Sequence, residues 1–203
     1  MVTALICLWV SSGFQEGDRW TTERTLQVVS SDEKVDSTTK ERVQYRVVRV
    51  EAALFAIQTD IASASYPKAK PITSITVFKP NGALISNEDT IDLNLERIRR
   101  MEWTALEERK GISWSRSWPS RSSLIEAKVI VKPTARTQKD TTLSIIYQEA
   151  GITRGTGTIK ILNDVPVIEE LSVTLKPVEV PGSTKPGRLT VSETLKEIHI
   201  GSN

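Results

Sequence analysis

The sequence predicts a mainly β (α+β) fold, a curved antiparallel sheet or incomplete barrel carrying one substantial helix. Three observations lead there. Several segments alternate polar residues with β-branched or aromatic ones, the period of a sheet with one face on a core and one in water. Glycine and proline fall almost entirely between those segments, where turns need them. The period lengthens to that of a helix only once, over residues 91–110.

Residues 17–29 read as a first strand and 30–36 as a polar turn. Residues 42–50 alternate cleanly, with Val43, Tyr45 and Val47 set against Arg42, Gln44 and Arg46. The short apolar run inside 51–61 suits a strand or a helix, and its length and position between strands favour a strand. After Pro67 and Pro71, residues 72–78 form a strand that turns at Asn81-Gly82 into 83–85, because Asn-Gly tolerates the positive φ of a tight hairpin.

In the helical segment Ile91, Leu95, Ile98, Met101, Ala105 and Leu106 form the apolar stripe; Asp89 or Thr90 caps the start and Gly111 the end. Strands resume at 112–118 and 127–131. A polar loop is expected over 132–140, then strands over 141–147, 153–161, 167–175 and 188–200, with a second hairpin at 162–166.

A chain of 203 residues buries roughly 70% of its unfolded surface and needs no covalent staples. Lys plus Arg number 27 against 25 Asp plus Glu, a near-neutral mixture that lacks the concentrated basic face a nucleic acid would require. The one local basic cluster, Arg97, Arg99 and Arg100, reads as a solvated helix face. Residues 1–13 resemble the remnant of a secretory signal: an apolar run over 4–10, then Ser11, Ser12 and Gly13, with Val10 and Ser12 suited to the positions before a cut. That run is too short to span a bilayer. Lipidation at Cys7 is disfavoured by the large Ile6 before it. Removal of the segment would leave no cysteine, which fits an exported bacterial envelope protein, periplasmic or extracellular. Residues 14–203 are then a single β-rich domain, with halves 17–88 and 111–200 joined by helix 91–110.

The two halves open alike, Gly17-Asp18-Arg19-Trp20 and Gly111-Ile112-Ser113-Trp114, and each goes on to a tyrosine-bearing strand, at Tyr45 and Tyr147. This suggests a duplicated strand cluster sharing one sheet. With the hairpin at Asn81-Gly82 and the strand entry Gly155-Thr156-Gly157-Thr158, the pattern resembles uncharacterised bacterial envelope proteins and, more distantly, the LolA and LolB-like carriers of lipoproteins. The resemblance implies an incomplete antiparallel barrel that holds acyl chains in an apolar groove covered by helices. This chain departs from the carriers in offering one clear helix.

No catalytic constellation is written in the sequence. The single histidine, His199, has no second ligand nearby and reads as a surface residue, and there is no Gly-x-Ser-x-Gly elbow. The carboxylate pairs Glu107-Glu108 and Glu169-Glu170 are sequence neighbours that point to different faces. Gly151, Gly155 and Gly157 lack the Lys-Ser/Thr of a phosphate loop and suit a strand bend or turn. The tryptophans are the most informative residues. Trp103, Trp114 and Trp118 cluster around the helix end and the following strand, where they pack helix onto sheet or face a ligand groove. The function read from the sequence is therefore a non-catalytic cell-envelope binding module for a lipid or other apolar ligand, with these tryptophans as its contacts. The alternative is a structural or protein-interaction protein acting through its sheet surface or edge, with another envelope protein as partner. No metal, cofactor, nucleic acid or transmembrane span is expected.

Overall fold

The computed structural model describes residues 13–64, 66, 68–88, 93–105, 113–119, 126–163, 165 and 167–201. Five strands come first: β1 (Arg19–Ser30), β2 (Asp36–Val50), β3 (Phe55–Ser63), β4 (Ile72–Phe78) and β5 (Leu84–Glu88). Helix α1 (Leu93–Ala105) follows. Six more strands complete the order: β6 (Trp114–Pro119), β7 (Glu126–Arg136), β8 (Asp140–Glu149), β9 (Ile152–Leu162), β10 (Ile168–Val178) and β11 (Gly187–His199). All belong to one open antiparallel sheet of 11 strands in the order β5-β4-β3-β2-β1-β11-β10-β9-β8-β7-β6. Each cluster is thus a meander of sequential hairpins. The two meanders meet where β1 pairs with β11, from Arg19 opposite His199 to Ser30 opposite Gly187.

Alternation decides which face is buried. Val43, Tyr45 and Val47 of β2 lie inward while Arg42, Gln44 and Arg46 stay in solvent. The same rule turns Leu143, Ile145 and Tyr147 of β8 and Leu171, Val173 and Leu175 of β10 inward. The sheet curves around this inner wall, and α1 lies against it, packed on β7, β8 and β10.

Four local expectations change. The polar stretch 132–136 continues β7, because its Pro133 sits at a register irregularity between Pro133 and Ala135, where a missing N–H costs no ladder bond. The Asn81-Gly82 turn is also looser than a two-residue hairpin. Only Gly82 has positive φ (84°), and Lys79 closes the loop by donating its N–H to the Ala83 carbonyl at 2.7 Å. Strand β2 likewise starts earlier than its alternation, at Asp36 opposite Val29. The paired tyrosines occupy different places in the two meanders: Tyr45 is on the second strand of the first, Tyr147 on the third of the second.

Candidate ligand site under the helix

The helix is polar in composition yet enclosed. From Ile98 to Thr104 every residue but Arg100 is buried, and Ile98 and Met101 have no exposed surface. The helix therefore fills the hollow of the sheet rather than lying across its mouth. Room for it comes partly from a missing side chain. Gly155 of β9 faces the wall, and a Cβ there would stand 2.6 Å from Leu175 Cδ2 and 3.4 Å from Met101 Sδ. Gly151 has a different role: at φ 78° it forms the β8–β9 turn with Ala150.

The expectation that Arg97, Arg99 and Arg100 form a solvated face is corrected. Arg99 is buried, with its Nη1 unpartnered, and Arg97 makes a two-pronged bond to Glu149 of β8, 2.9 Å on each oxygen. A helix wrapped by a curved sheet has too little outer surface for three solvated arginines.

Trp103 is buried on the inner side of α1, edge-on to Tyr45 at 6.0 Å and to Phe78 at 5.0 Å between ring centroids. These contacts belong to a closed circuit of rings. Phe14 stacks on Trp20, Trp20 on Tyr45 and Phe55 on Phe78, and Phe14 meets Phe55 to complete it. Each such pair contributes about 0.5–1.5 kcal/mol beyond its buried area. Trp103 thus packs helix onto sheet, but its indole N–H finds no acceptor. For Trp114 and Trp118 the backbone register pairs them with Val131 and Ala127 of β7, and their side chains lie outside the described residues. Residues 1–12, the helical positions 91–92 and 106–110, and the Glu107-Glu108 pair also lie outside them.

Beside the aromatic circuit is a buried ionic cluster that sequence reading missed. Strand register sets Arg24 of β1 between Glu41 of β2 and Glu193 of β11, all in one row on the inner wall. Arg24 Nε donates to Glu193 Oε2 at 2.6 Å, and its Nη2 donates to Glu102 Oε1 of the helix at 3.2 Å. Glu193 also accepts from the Thr22 hydroxyl at 2.5 Å and the Tyr45 hydroxyl at 2.8 Å. Arg24, Glu102 and Glu193 are each no more than 3% exposed.

One guanidinium therefore serves two carboxylates. Burial pushes the Glu102 carboxyl up to about 7, against the pull of Arg24; the nearby Glu193 carboxylate raises it further. Burial also raises Glu41, whose Oε2 has no partner. Burial works against the Arg24 charge, and the carboxylates of Glu193 and Glu102 more than offset it, so its pKa rises. The Tyr45 hydroxyl, buried and facing Glu193, is held neutral. Burying an ion pair costs several kcal/mol per ion before its attraction repays it. The helix is accordingly an expensive occupant of an apolar hollow.

The rest of the wall is aliphatic. Val129, Val131, Ile145, Ile159, Leu175 and Val191 present a continuous hydrocarbon surface across five strands. Among the described residues no group of three or more His, Cys, Asp or Glu side chains converges as a metal site, and no helix is long and apolar enough to cross a membrane.

No protein-family model matches the chain, and no curated protein matches it. Solved structures do. A structure of lipovitellin, described for its lipid–protein interactions, shares the fold over 94% of this chain with a TM-score of 0.53 and 8% identity. The chain spans about a quarter of that protein, 26% of its length. An outer membrane lipoprotein-sorting protein domain from Vibrio parahaemolyticus is matched over 92% of this chain and 86% of its own, with a TM-score of 0.39 and 8% identity. A LolA superfamily protein from Nitrosomonas europaea is matched over 100% and 96%, with a TM-score of 0.24 and 9% identity. Structures of the LolA type, which the sequence resembles, are thus among those similar to this chain.

Proposed function

We propose that this protein is a non-catalytic, exported envelope module that binds a lipid or other apolar ligand on the inner wall of its sheet. The observation that carries the reading is the mismatch between wall and occupant. A hollow with one continuous aliphatic flank is filled by a helix that carries Arg99, Glu102 and an unbonded indole N–H into the interior. An acyl chain would satisfy that surface without desolvating charge. Withdrawal of α1 would return those groups to water and open the hollow. Lipovitellin, whose fold this chain shares, was described for lipid–protein interactions, which supports the same reading. Trp103 on the helix, with Trp114 and Trp118 on β6, are the proposed contacts.

The test is native mass spectrometry of protein purified from an envelope-bearing host, followed by solvent extraction and by titration with oleate under tryptophan fluorescence. The expected result is a co-purifying lipid, diminished by Trp114→Ala or Trp118→Ala, and a fluorescence change as Trp103 leaves its ring contacts. A clean apo mass with unchanged fluorescence would overturn the proposal. The search would then move to protein partners of the sheet's open edge, where Leu84 and Ile85 of β5 stand exposed.

A further inference from the structure

The outer face of the sheet carries a feature that packing does not explain. Across the seam of the two meanders, Arg46 of β2 lies directly opposite Arg19 of β1, which lies directly opposite His199 of β11. Like charges at directly opposed positions are destabilising. Three other cations on this face do have a carboxylate: Lys196 pairs with Glu23 at 3.1 Å, Lys160 with Glu169 at 3.0 Å, and Arg42 approaches Glu197 at 3.9 Å. By contrast Arg19, Arg46 and His199 have no side-chain hydrogen bond or ion pair among the described residues. Nor does Thr21, nine-tenths buried in the next row, where it lies between Gln44 and Glu197. These side chains line one groove of about 450 Å³, the scale of a small-molecule site.

We propose that this groove binds a small organic phosphate, its phosphate group seated on Arg46, Arg19 and His199 with the Thr21 hydroxyl beside it in the next row. Neighbouring strands are about 4.8 Å apart, so the three donors span roughly 10 Å, and tetrahedral oxygens can meet them together. A carboxylate, with two coplanar oxygens, suits a single guanidinium fork. In the adjoining row Asp60 and Glu197 stand on either side, which repels a second phosphate and an anionic lipid surface alike. The groove lies on the face opposite the inner wall, so the proposal is independent of the lipid reading.

The test is isothermal titration of the full chain with glycerol 3-phosphate in chloride of fixed ionic strength. One saturating site is expected, weakened at least tenfold by Arg19→Gln or Arg46→Gln and less than threefold by Arg42→Gln, whose guanidinium already faces Glu197. Thermal melts without ligand should leave Arg46→Gln no less stable than the parent, which separates lost binding from lost folding. The proposal is overturned by three outcomes: no saturable binding, an equal loss in all three variants, or binding confined to phosphatidylglycerol vesicles.

Discussion

The inner wall has two flanks, divided at the β1–β11 seam, and they hold the helix by different physics. On one flank rings and charges meet α1: Tyr45 and Phe78 clasp Trp103 edge-on, and Arg24 reaches Glu102. These contacts depend on angle, so they fix the rotation and register of the helix. On the other flank Val129, Ile145, Ile159 and Leu175 offer only shape and apolar area. Such a surface accepts Ile98 and Met101 but would accept another hydrocarbon equally well. Specificity for the helix therefore resides on the aromatic flank, and the proposed apolar ligand would take its place on the aliphatic one.

The sharpest way to break this contrast is Arg24→Met. It leaves Glu193 and Glu102 buried without their shared guanidinium, and a loss of about 3–5 kcal/mol in urea unfolding at pH 7 is expected. A loss below about 1 kcal/mol would show that charge does not hold that flank.

Next in size is the pH dependence. Glu102 faces Arg24 of β1, Glu41 and Tyr45 of β2, Glu193 of β11 and Arg99 of its own helix. Its folded pKa, about 7, lies above its ordinary value of 4.5, so between these values the folded state binds the extra proton. The resulting stability is present in full below pH 4.5 and is lost as pH rises through about 7, a change on the order of 3 kcal/mol. Glu41, also raised, acts in the same direction. Denaturation midpoints measured from pH 4.5 to 8 should fall as pH rises, and Glu102→Gln should flatten most of that slope. A parent protein equally stable at both ends would remove Glu102 as the cause.

The smallest effect should come from the aliphatic flank. Ile159→Val removes one buried methyl group and should cost about 1 kcal/mol, and Ile145→Val should cost much the same. A cost well above 2 kcal/mol for either would mean that this flank too is built for one shape.

Strand periodicity was legible because it follows from side-chain alternation alone. Residues 72–78 read as a strand and form β4 with the same ends, and the ambiguous run within 51–61 forms β3 from Phe55. The single helix was legible at Ile98 and Met101 for the same reason. What could not be read was anything set by register between distant strands. Arg24 sits in a sequence of ordinary strand polarity, Thr-Glu-Arg-Thr, and nothing there says that Glu193 will lie opposite it. The burial of Arg99 was hidden likewise, since a helix pattern tells which residues share a face but not whether a sheet will wrap both faces. The one cue was the inward parity of Arg24 with Trp20 and Thr22, which puts a charge on the core side of β1.

The pairing of β1 with β11 bears on how the chain reaches this state. Thr22 and Glu193, joined by a hydrogen bond at the centre of the sheet, are 171 residues apart. Each meander can assemble from neighbouring hairpins as it emerges, but the seam must wait for the last strand to be made. Closing so long a loop raises contact order, and high contact order slows folding. Until then both meanders carry an unpaired edge at β1 and beside β10, the kind of edge that recruits strands from other chains. The opposed arginines of β1 and β2 would meet that hazard during synthesis, since a second copy aligned on the same edge would set like charges against one another.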